Sequence, residues 1–307
     1  MSETLTPAPA IDHRALYYAS DEEYLSGVGG FAREGLDAGQ AVMIALPGAR
    51  LPALRDHLGG AAERVSWFDM AILGRNPARI IPAIRVFADR AAGAPCRMVG
   101  EPIWRGRTDP EMGEAVHHEA LINLAFAETP ISILCPYDLR LDERTLADSR
   151  CTHPVLVQHG GAAGSAHYRP EELLGVGRRP LPPAPPGAVS FGDVTDVGGL
   201  RRSLRERVVP ALGDDRGEDL VLAVSEAAAN SLLHARHPPT VRVWEEPGAI
   251  VCDVADPGTI GDPLAGRRPP TAGVDGRRGL WLIGQLCDLS ELRSDASGTT
   301  LRLHMRV

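Results

Sequence analysis

The C-terminal half of the sequence contains an almost entirely small or apolar stretch, AVSEAAANSLLHA, at residues 223–235. Its pattern predicts a helix, yet it carries Glu226 and Asn230 four residues apart, which places both side chains on one helix face. Two polar residues at this spacing are, on their own, typical of a solvated face. Whether Glu226 and Asn230 belong to a solvated helix face or to a binding site depends on the segments on either side of the stretch.

These flanking segments predict an α+β domain. A helix over about 200–212 precedes the helix over about 219–234, and two alternating strands, TVRVWEE and AIVCDVAD, follow it directly. A loop rich in Gly, Pro and Arg, a helix over 279–286 and a last alternating strand, TTLRLHM, complete the pattern. Helices on one side of a largely antiparallel sheet form an α+β sandwich.

Two further features accompany the Glu–Asn pair. Asp256 ends the second strand and is followed by a turn at Gly258, and Gly276 and Gly279 bracket the start of the next helix. An aspartate beside a glycine can accept a hydrogen bond from an amino group, and a glycine-flanked helix start offers free N–H groups to phosphate. An asparagine oxygen can bind Mg²⁺, and a glutamate one turn away can take up a proton.

Together with SGTTLRL, these features resemble the N, G1 and G2 boxes of the gyrase and histidine-kinase ATPase superfamily, in particular the RsbW-like anti-sigma-factor kinases, from about Ser190 to Val307. The resemblance implies ATP and Mg²⁺ as cofactors, with Glu226 as catalytic base and Asn230 as the Mg²⁺ ligand. Further implied roles are adenine recognition (Asp256), close approach of the base (Gly258), wrapping of the phosphates (Gly276, Gly279) and contact near the adenine (Thr300).

The loop between the boxes supplies four arginines, Arg267, Arg268, Arg277 and Arg278. One of them, Arg278 in particular, is expected to contact the γ-phosphate in place of a lysine. A solvated basic loop is the alternative interpretation.

The N-terminal half alternates strand-like and helix-like segments, which predicts a parallel α/β sheet with helices on both faces. Its motifs GEPIW (100–104), HHEALINLAF (117–126), ILCPYD (133–138) and THPVL (152–156) resemble the MEDS sensory domain, related to the RecA/KaiC-like fold. The P-loop of a working RecA-like ATPase is absent here. A MEDS domain followed by an RsbW-like domain is similar to the RsbA family of anti-sigma regulators, which implies a sensor input.

Open parallel sheets bind ligands at the carboxyl ends of their strands. We therefore expect a patch for an unknown small-molecule signal at Glu101, Cys135, Tyr137 and Asp138. Cys135 could also be a redox thiol or a structural core residue.

The adjacent histidines His117 and His118 leave two interpretations open. They superficially resemble the phosphoacceptor box of a sensor histidine kinase, although the helical hairpin that such a box needs is replaced by strands and a proline-rich segment. Alternatively, they are ordinary helix residues. A metal site on this pair is disfavoured because adjacent helix residues point in different directions.

The segment GRRPLPPAPPG (177–187) has the composition of an extended linker. The predicted organisation is a disordered N-terminus (1–10), a sensory domain (11–176), a linker (177–188) and an ATPase domain (189–307).

The amino-acid composition excludes or disfavours several classes of function for this protein. The net charge of −8 disfavours a nucleic-acid surface, and no apolar run is long enough to span a membrane. The five widely spaced cysteines are typical of reduced thiols in a cytoplasmic protein. All 32 basic residues are arginine, which excludes mechanisms that need a lysine, such as a P-loop or a Schiff base.

The sequence thus predicts a cytoplasmic bacterial switch protein that binds Mg·ATP, phosphorylates a serine on a STAS-type antagonist and sequesters a sigma factor. The resemblance also implies homodimerisation through the ATPase sheet. Two alternatives remain. One is a sensor histidine kinase that phosphorylates His117 or His118, and the other is a nucleotide-gated binding module without phosphotransfer.

Overall fold

The computed structural model describes residues 11–176, 181–270 and 278–307, with the side chains of residues 175 and 176 left out. The chain divides into two compact units between Leu174 and Gly175. The predicted linker therefore falls at the start of the second unit, and its residues 177–180 lie outside the described residues, as does the predicted disordered segment 1–10.

The N-terminal unit is built from alternating strands and helices. Its strands are β1 (Ile11–Tyr18), β2 (Ala41–Leu46), β3 (Val65–Asp69), β4 (Cys96–Gly100), β5 (Ile131–Asp138), β6 (Val155–Gln158) and β7 (Gly161–Gly164). Its helices are α1 (Asp21–Asp37), α2 (Leu51–Leu58), α3 (Met70–Leu73), α4 (Ile80–Arg90), α5 (Asp109–Ala125) and α6 (Glu143–Thr152), and α7 (Pro170–Val176) begins in this unit and ends two residues past the division.

These strands form one sheet in the order β3-β2-β4-β5-β1-β6-β7, parallel except for the antiparallel edge strand β7. The two central strands, β1 and β5, are covered on both faces. Side chains alternate between the faces of a strand. Leu16 and Leu134 pack against α1 and α2 on one face, whereas His13 and its neighbours on β5 face α5 and α6 on the other. The predicted parallel α/β sheet is confirmed.

The C-terminal unit has a different architecture. Its strands are β8 (Val189–Asp193), β9 (Thr240–Glu246), β10 (Ala249–Asp256), β11 (Leu289–Asp295) and β12 (Gly298–Arg306). Its helices are α8 (Val197–Leu212), α9 (Asp214–Asn230) and α10 (Arg278–Leu286).

All five strands pair antiparallel, in the order β11-β12-β10-β9-β8. The three helices pack on one face of this sheet around a core that includes Leu204, Leu220, Cys252 and Leu303, each fully buried. This arrangement is the predicted α+β sandwich.

Candidate functional site

The last turn of α9 carries the polar pair that the sequence singles out. Glu226 and Asn230 are both half-buried, while the alanines between them lie against the core or solvent. The helix does not stop at Asn230, because residues Ser231–Ala235 continue it as a wider π-helical turn that ends at Arg236 with a left-handed backbone. Ser231, the first residue of this turn, is buried.

Asp256, the last residue of β10, is held by two hydrogen bonds. Ser231 Oγ donates to its Oδ2 at 2.5 Å, and the backbone N–H of Gly258 donates to its Oδ1 at 2.7 Å. Each carboxylate oxygen keeps a further lone pair, so Asp256 can still accept a hydrogen bond from a ligand amino group. Sequence reasoning missed Ser231. Its position immediately after Asn230 was the available signal.

The turn after β10 needs a glycine. A Cβ at Gly258 would lie 2.6 Å from the Cβ of Ala235, at the end of the π-helical turn. Thr299 Oγ1 donates to the Gly258 carbonyl at 2.8 Å and shares a hydrogen bond of 2.8 Å with Ser294 Oγ. The turn is therefore fixed from both sides, which positions Asp256.

The structure corrects the prediction that Thr300 lies near the adenine. In the β10–β12 ladder Thr299 lies opposite Asp256, and Thr300 lies opposite Ala255. Opposite residues share a face, and adjacent residues occupy different faces. Thr300 therefore lies on the face of the sheet away from the helices, and Thr299 is the threonine that faces the site of Asp256.

The start of α10 lies against Asn230. A Cβ at Gly279 would be 2.6 Å from Asn230 Nδ2 and 3.1 Å from its Oδ1, so the absence of a side chain is what lets the helix approach. Arg278, the first residue of α10, is exposed. Gly276, the other predicted phosphate-wrapping glycine, lies outside the described residues.

The loop arginines occupy different environments. Arg267 is buried, and Arg268 forms an ion pair of 2.8 Å with Asp262 within the same loop. Arg277 lies outside the described residues. Of the four, the exposed Arg278 stands nearest in sequence to the Gly279–Asn230 contact.

The structure places the four residues of the predicted ligand patch in the N-terminal unit on two different faces of the sheet. Glu101 and Asp138 lie at the carboxyl ends of β4 and β5, at the edge where ligands of parallel sheets bind. Cys135 and Tyr137 instead lie within β5, and strand alternation sends them to the opposite face, where the Tyr137 ring packs edge-on against His153 with centroids 5.4 Å apart. The expectation that all four residues share one patch is wrong.

Glu101 is enclosed by aromatic residues. Its two carboxylate oxygens accept hydrogen bonds from Tyr18 Oη at 3.1 Å and Tyr24 Oη at 3.0 Å, and the guanidinium of Arg50 lies over both tyrosine rings. Burial raises the pKa of Glu101 to about 7, against the lowering effect of the tyrosines and Arg50 and with a smaller raising effect from Asp138. This carboxyl group is therefore half-protonated near neutral pH.

The histidines of the HHE motif are helix residues of the N-terminal unit. They lie in the second half of α5, where His118 is buried and His117 is 3.9 Å from Glu114. This arrangement agrees with the interpretation as ordinary helix residues, and a buried His118 is poorly placed to accept a phosphoryl group from another domain.

Comparisons with known families identify both units. Residues 12–154 match the MEDS family, the methanogen/methylotroph, DcmR sensory domain, and residues 192–305 match the histidine kinase-like ATPase domain family. The chain thus joins an N-terminal MEDS domain to a C-terminal histidine kinase-like ATPase domain. The order of domains and the class of each agree with the sequence prediction.

Among solved structures, the chain is similar to the crystal structure of the RsbU and RsbW domains of Rv1364c from Mycobacterium tuberculosis. The identity is 20% over 40% of this chain, with a TM-score of 0.30, and the match spans 33% of that chain. No curated protein matches the sequence. Every helix in the described ranges is too short or too polar to cross a bilayer.

Proposed function

We propose that the C-terminal domain binds Mg·ATP and transfers its γ-phosphoryl group to a serine of a STAS-type antagonist. In this proposal the protein is also an anti-sigma factor that sequesters a sigma factor while the antagonist is phosphorylated, and the MEDS domain supplies the signal. The observation that carries the proposal is the contact of Gly279 with Asn230, because it joins the start of α10 to the polar pair of α9.

The adenine end of the site is supported by the hydrogen bonds around Asp256. Ser231 and the Gly258 N–H hold this carboxylate in place, and one lone pair on each oxygen remains for the exocyclic amino group of adenine. Gly258 has no side chain to obstruct a flat base. Thr299, on the same face as Asp256, completes this end of the pocket.

The phosphate end is supported by the start of α10, which lies against Asn230. The first N–H groups of a helix have no partner within that helix and carry a positive partial charge, and both properties favour phosphate. The Asn230 side-chain oxygen is a suitable Mg²⁺ ligand, and Mg²⁺ keeps most of its waters when it bridges phosphates. Arg278 stands beside this terminus and would neutralise charge that develops on the phosphoryl group.

Glu226 is proposed as the general base. In the transfer, the serine oxygen forms the new P–O bond, the bond from the γ-phosphorus to the bridging oxygen breaks, and ADP leaves with that oxygen. Glu226 takes up the serine hydroxyl proton. Its half-buried position, one turn before Asn230, leaves it accessible to the partner's serine.

Calorimetry of Mg·ATP binding tests the first step. Asn230→Ala is expected to weaken Mg²⁺-dependent ATP binding at least tenfold, about 1.4 kcal/mol, relative to the wild-type protein. Glu218→Gln is a suitable control, because Glu218 is an exposed residue of the same helix, paired with Arg205 and about three turns before Asn230. Absence of ATP binding in the wild-type protein would contradict the proposal.

Phosphotransfer assays test the second step. With a STAS-domain antagonist as acceptor, Glu226→Gln is expected to lower the transfer rate about 10²–10⁴-fold while Mg·ATP affinity is retained. An acid-labile phosphate on His117 or His118 would instead identify a histidine kinase. Normal partner binding with no phosphate on any partner, in both wild type and variant, would identify a binding module.

A further inference from the structure

Four side chains with metal-binding atoms meet inside the N-terminal domain. They are His13 on β1, Glu119 on α5, Cys135 on β5 and His153 immediately after α6. We call them the His–Glu–Cys–His cluster. Each of the four is at least 99% buried. The cluster lies between the centre of the parallel sheet and the helices that cover it.

The four potential ligand atoms converge on one point. All lie within 4.8 Å of one another. Glu119 Oε2 is 3.1 Å from His13 Nε2 and 3.4 Å from both His153 Nε2 and Cys135 Sγ, and Cys135 Sγ is 3.4 Å from His13 Nε2. Ligands of tetrahedral zinc, at about 2.0–2.3 Å from the metal, are separated from each other by about 3.4–3.7 Å. The spacing of the cluster is close to that of a tetrahedral metal site.

Both imidazole rings are oriented from outside the cluster. His13 Nδ1 lies 3.1 Å from Asn123 Oδ1, and the orientation of that amide is fixed because its Nδ2 donates to the Thr152 carbonyl at 2.9 Å. His153 Nδ1 lies 2.8 Å from the Ser149 carbonyl. The Thr152 hydroxyl also lies 2.9 Å from His153 Nδ1. The Asn123 and Ser149 oxygens are acceptors, so they favour the tautomer with the proton on Nδ1, which presents an Nε2 lone pair inward. Hydrogen bonds of this kind are characteristic of histidines that bind metals.

The centre of the cluster is consequently rich in lone pairs. Two Nε2 atoms and Glu119 Oε2 face one another, and Cys135 contributes one thiol proton. The contact between His153 Nε2 and Glu119 Oε2 does not have the geometry of a hydrogen bond, and within the described residues neither His153 Nε2 nor Glu119 Oε1 has a hydrogen-bond partner. Glu119 Oε2 already accepts from the Cys135 thiol at 3.4 Å and lies 3.1 Å from His13 Nε2. Glu119 Oε1 and His153 Nε2, in contrast, are buried polar atoms whose burial is costly, and a cation at the centre would satisfy these atoms together.

We propose that the MEDS domain of this protein binds one zinc-type transition-metal ion through His13, Glu119, Cys135 and His153. Two imidazole nitrogens, a thiolate and a carboxylate oxygen are the donors of a borderline-soft divalent ion, whereas Mg²⁺ and Ca²⁺ prefer oxygen ligands alone. Four protein ligands fill a tetrahedron and leave no position for substrate, which is the pattern of a closed, structural site. The ion joins two central strands to α5 and to the segment after α6, so its binding stabilises the domain.

The metal content of the purified full-length protein, measured by mass spectrometry after expression with zinc, tests this proposal. The expected result is about one zinc ion per chain, and replacement by Co²⁺ should give the intense visible bands of a tetrahedral site together with a thiolate charge-transfer band. A matched pair of variants tests the thiolate. Cys135→Ser should abolish the charge-transfer band, while Cys96→Ser, at a buried cysteine on the neighbouring strand β4, should keep it.

A measurement on the unaltered protein remains informative if the variants fold poorly. A strong chelator should lower the midpoint of thermal unfolding of the wild-type protein, and added Zn²⁺, but not Mg²⁺, should restore it. Protein without stoichiometric metal, with no tetrahedral Co²⁺ spectrum and no response to the chelator, would overturn the proposal. Equal loss of the charge-transfer band in Cys96→Ser and Cys135→Ser would also overturn it.

Discussion

Glu101 and Glu226 are glutamates among mainly apolar neighbours, one in each unit, and their surroundings differ. Glu101 is 2% exposed and receives two tyrosine hydroxyl groups, so its environment is complete within the protein. Glu226 is half-buried, one turn before Asn230 on the same helix face. The buried Glu101 can therefore affect the stability of the protein through its protonation state. The half-buried Glu226 is accessible to a bound ligand or partner.

The same contrast holds for the polar clusters of the two domains. The hydrogen bonds around Asp256 fix one carboxylate and leave lone pairs available, as a reversible nucleotide site requires. The His–Glu–Cys–His cluster is closed and directs its lone pairs toward its own centre.

The largest expected effect is on the pH dependence of stability at Glu101. The folded state raises the pKa of this group from 4.5 to about 7, because burial disfavours the charged form. The folded protein therefore holds the proton more tightly than the unfolded chain. The stabilisation from this group is complete below pH 4.5 and is lost as the pH rises through 7, a change of about 3 kcal/mol.

Glu101→Gln should remove this dependence, since glutamine stays neutral. The difference in free energy of unfolding between variant and wild type should grow in favour of the variant between pH 4.5 and 7, measured by urea unfolding at several pH values. Glu128→Gln, at an exposed position, provides the control and should show no such trend. Parallel curves for Glu101→Gln and wild type would show that Glu101 ionises like an exposed carboxyl group.

The next effect is on nucleotide affinity at Gly279. In Gly279→Ala the new methyl group would lie 2.6 Å from Asn230 Nδ2, so the asparagine side chain must move away from its position. We expect Mg·ATP affinity to fall about tenfold, about 1.4 kcal/mol. The free energy of unfolding should change less than the binding free energy, because the preference of alanine over glycine for helix, up to about 1 kcal/mol, partly offsets the cost of moving Asn230.

Gly261→Ala is the matched control for that prediction. Gly261 lies in the loop after β10, and a Cβ there would meet nothing within 4 Å. Its ATP affinity by calorimetry should equal that of the wild type. Equal losses in both variants would mean that loop mobility, and not the position of Asn230, governs binding.

The sequence predicted the ATPase fold and most of its candidate site because these residues lie in contiguous motifs with helical or alternating periodicity. Glu226 and Asn230 are neighbours on one helix, and Asp256 and Gly258 share one turn. Two strands of this domain, β8 and β11, were not predicted from the sequence. Strand β8 contains Gly192 with a positive backbone φ and an irregular register against β9, and the polar sequence of β11, LSELRSD, has little of the expected alternation.

The His–Glu–Cys–His cluster could not be assembled from the sequence, for a physical reason. Its members come from four segments that only the parallel sheet and its crossover helices bring together. Local periodicity indicates which face a residue occupies, but it does not indicate which distant residue faces it. The sequence did draw attention to the motifs that hold Glu119, Cys135 and His153, without a reason to combine them.

The smallest expected effect tests the choice between two adjacent threonines, where sequence reasoning selected Thr300 and the strand register selects Thr299. Thr299→Val removes the hydroxyl group that donates to the Gly258 carbonyl and should weaken ATP binding about fivefold, about 1 kcal/mol. Thr300→Val changes the opposite face of the sheet and should leave the affinity unaltered. Both substitutions conserve side-chain shape, so calorimetry on the pair compares one hydroxyl group with its neighbour. A larger loss in Thr300→Val would place the adenine on the other face of β12 and would contradict the pocket built around Asp256.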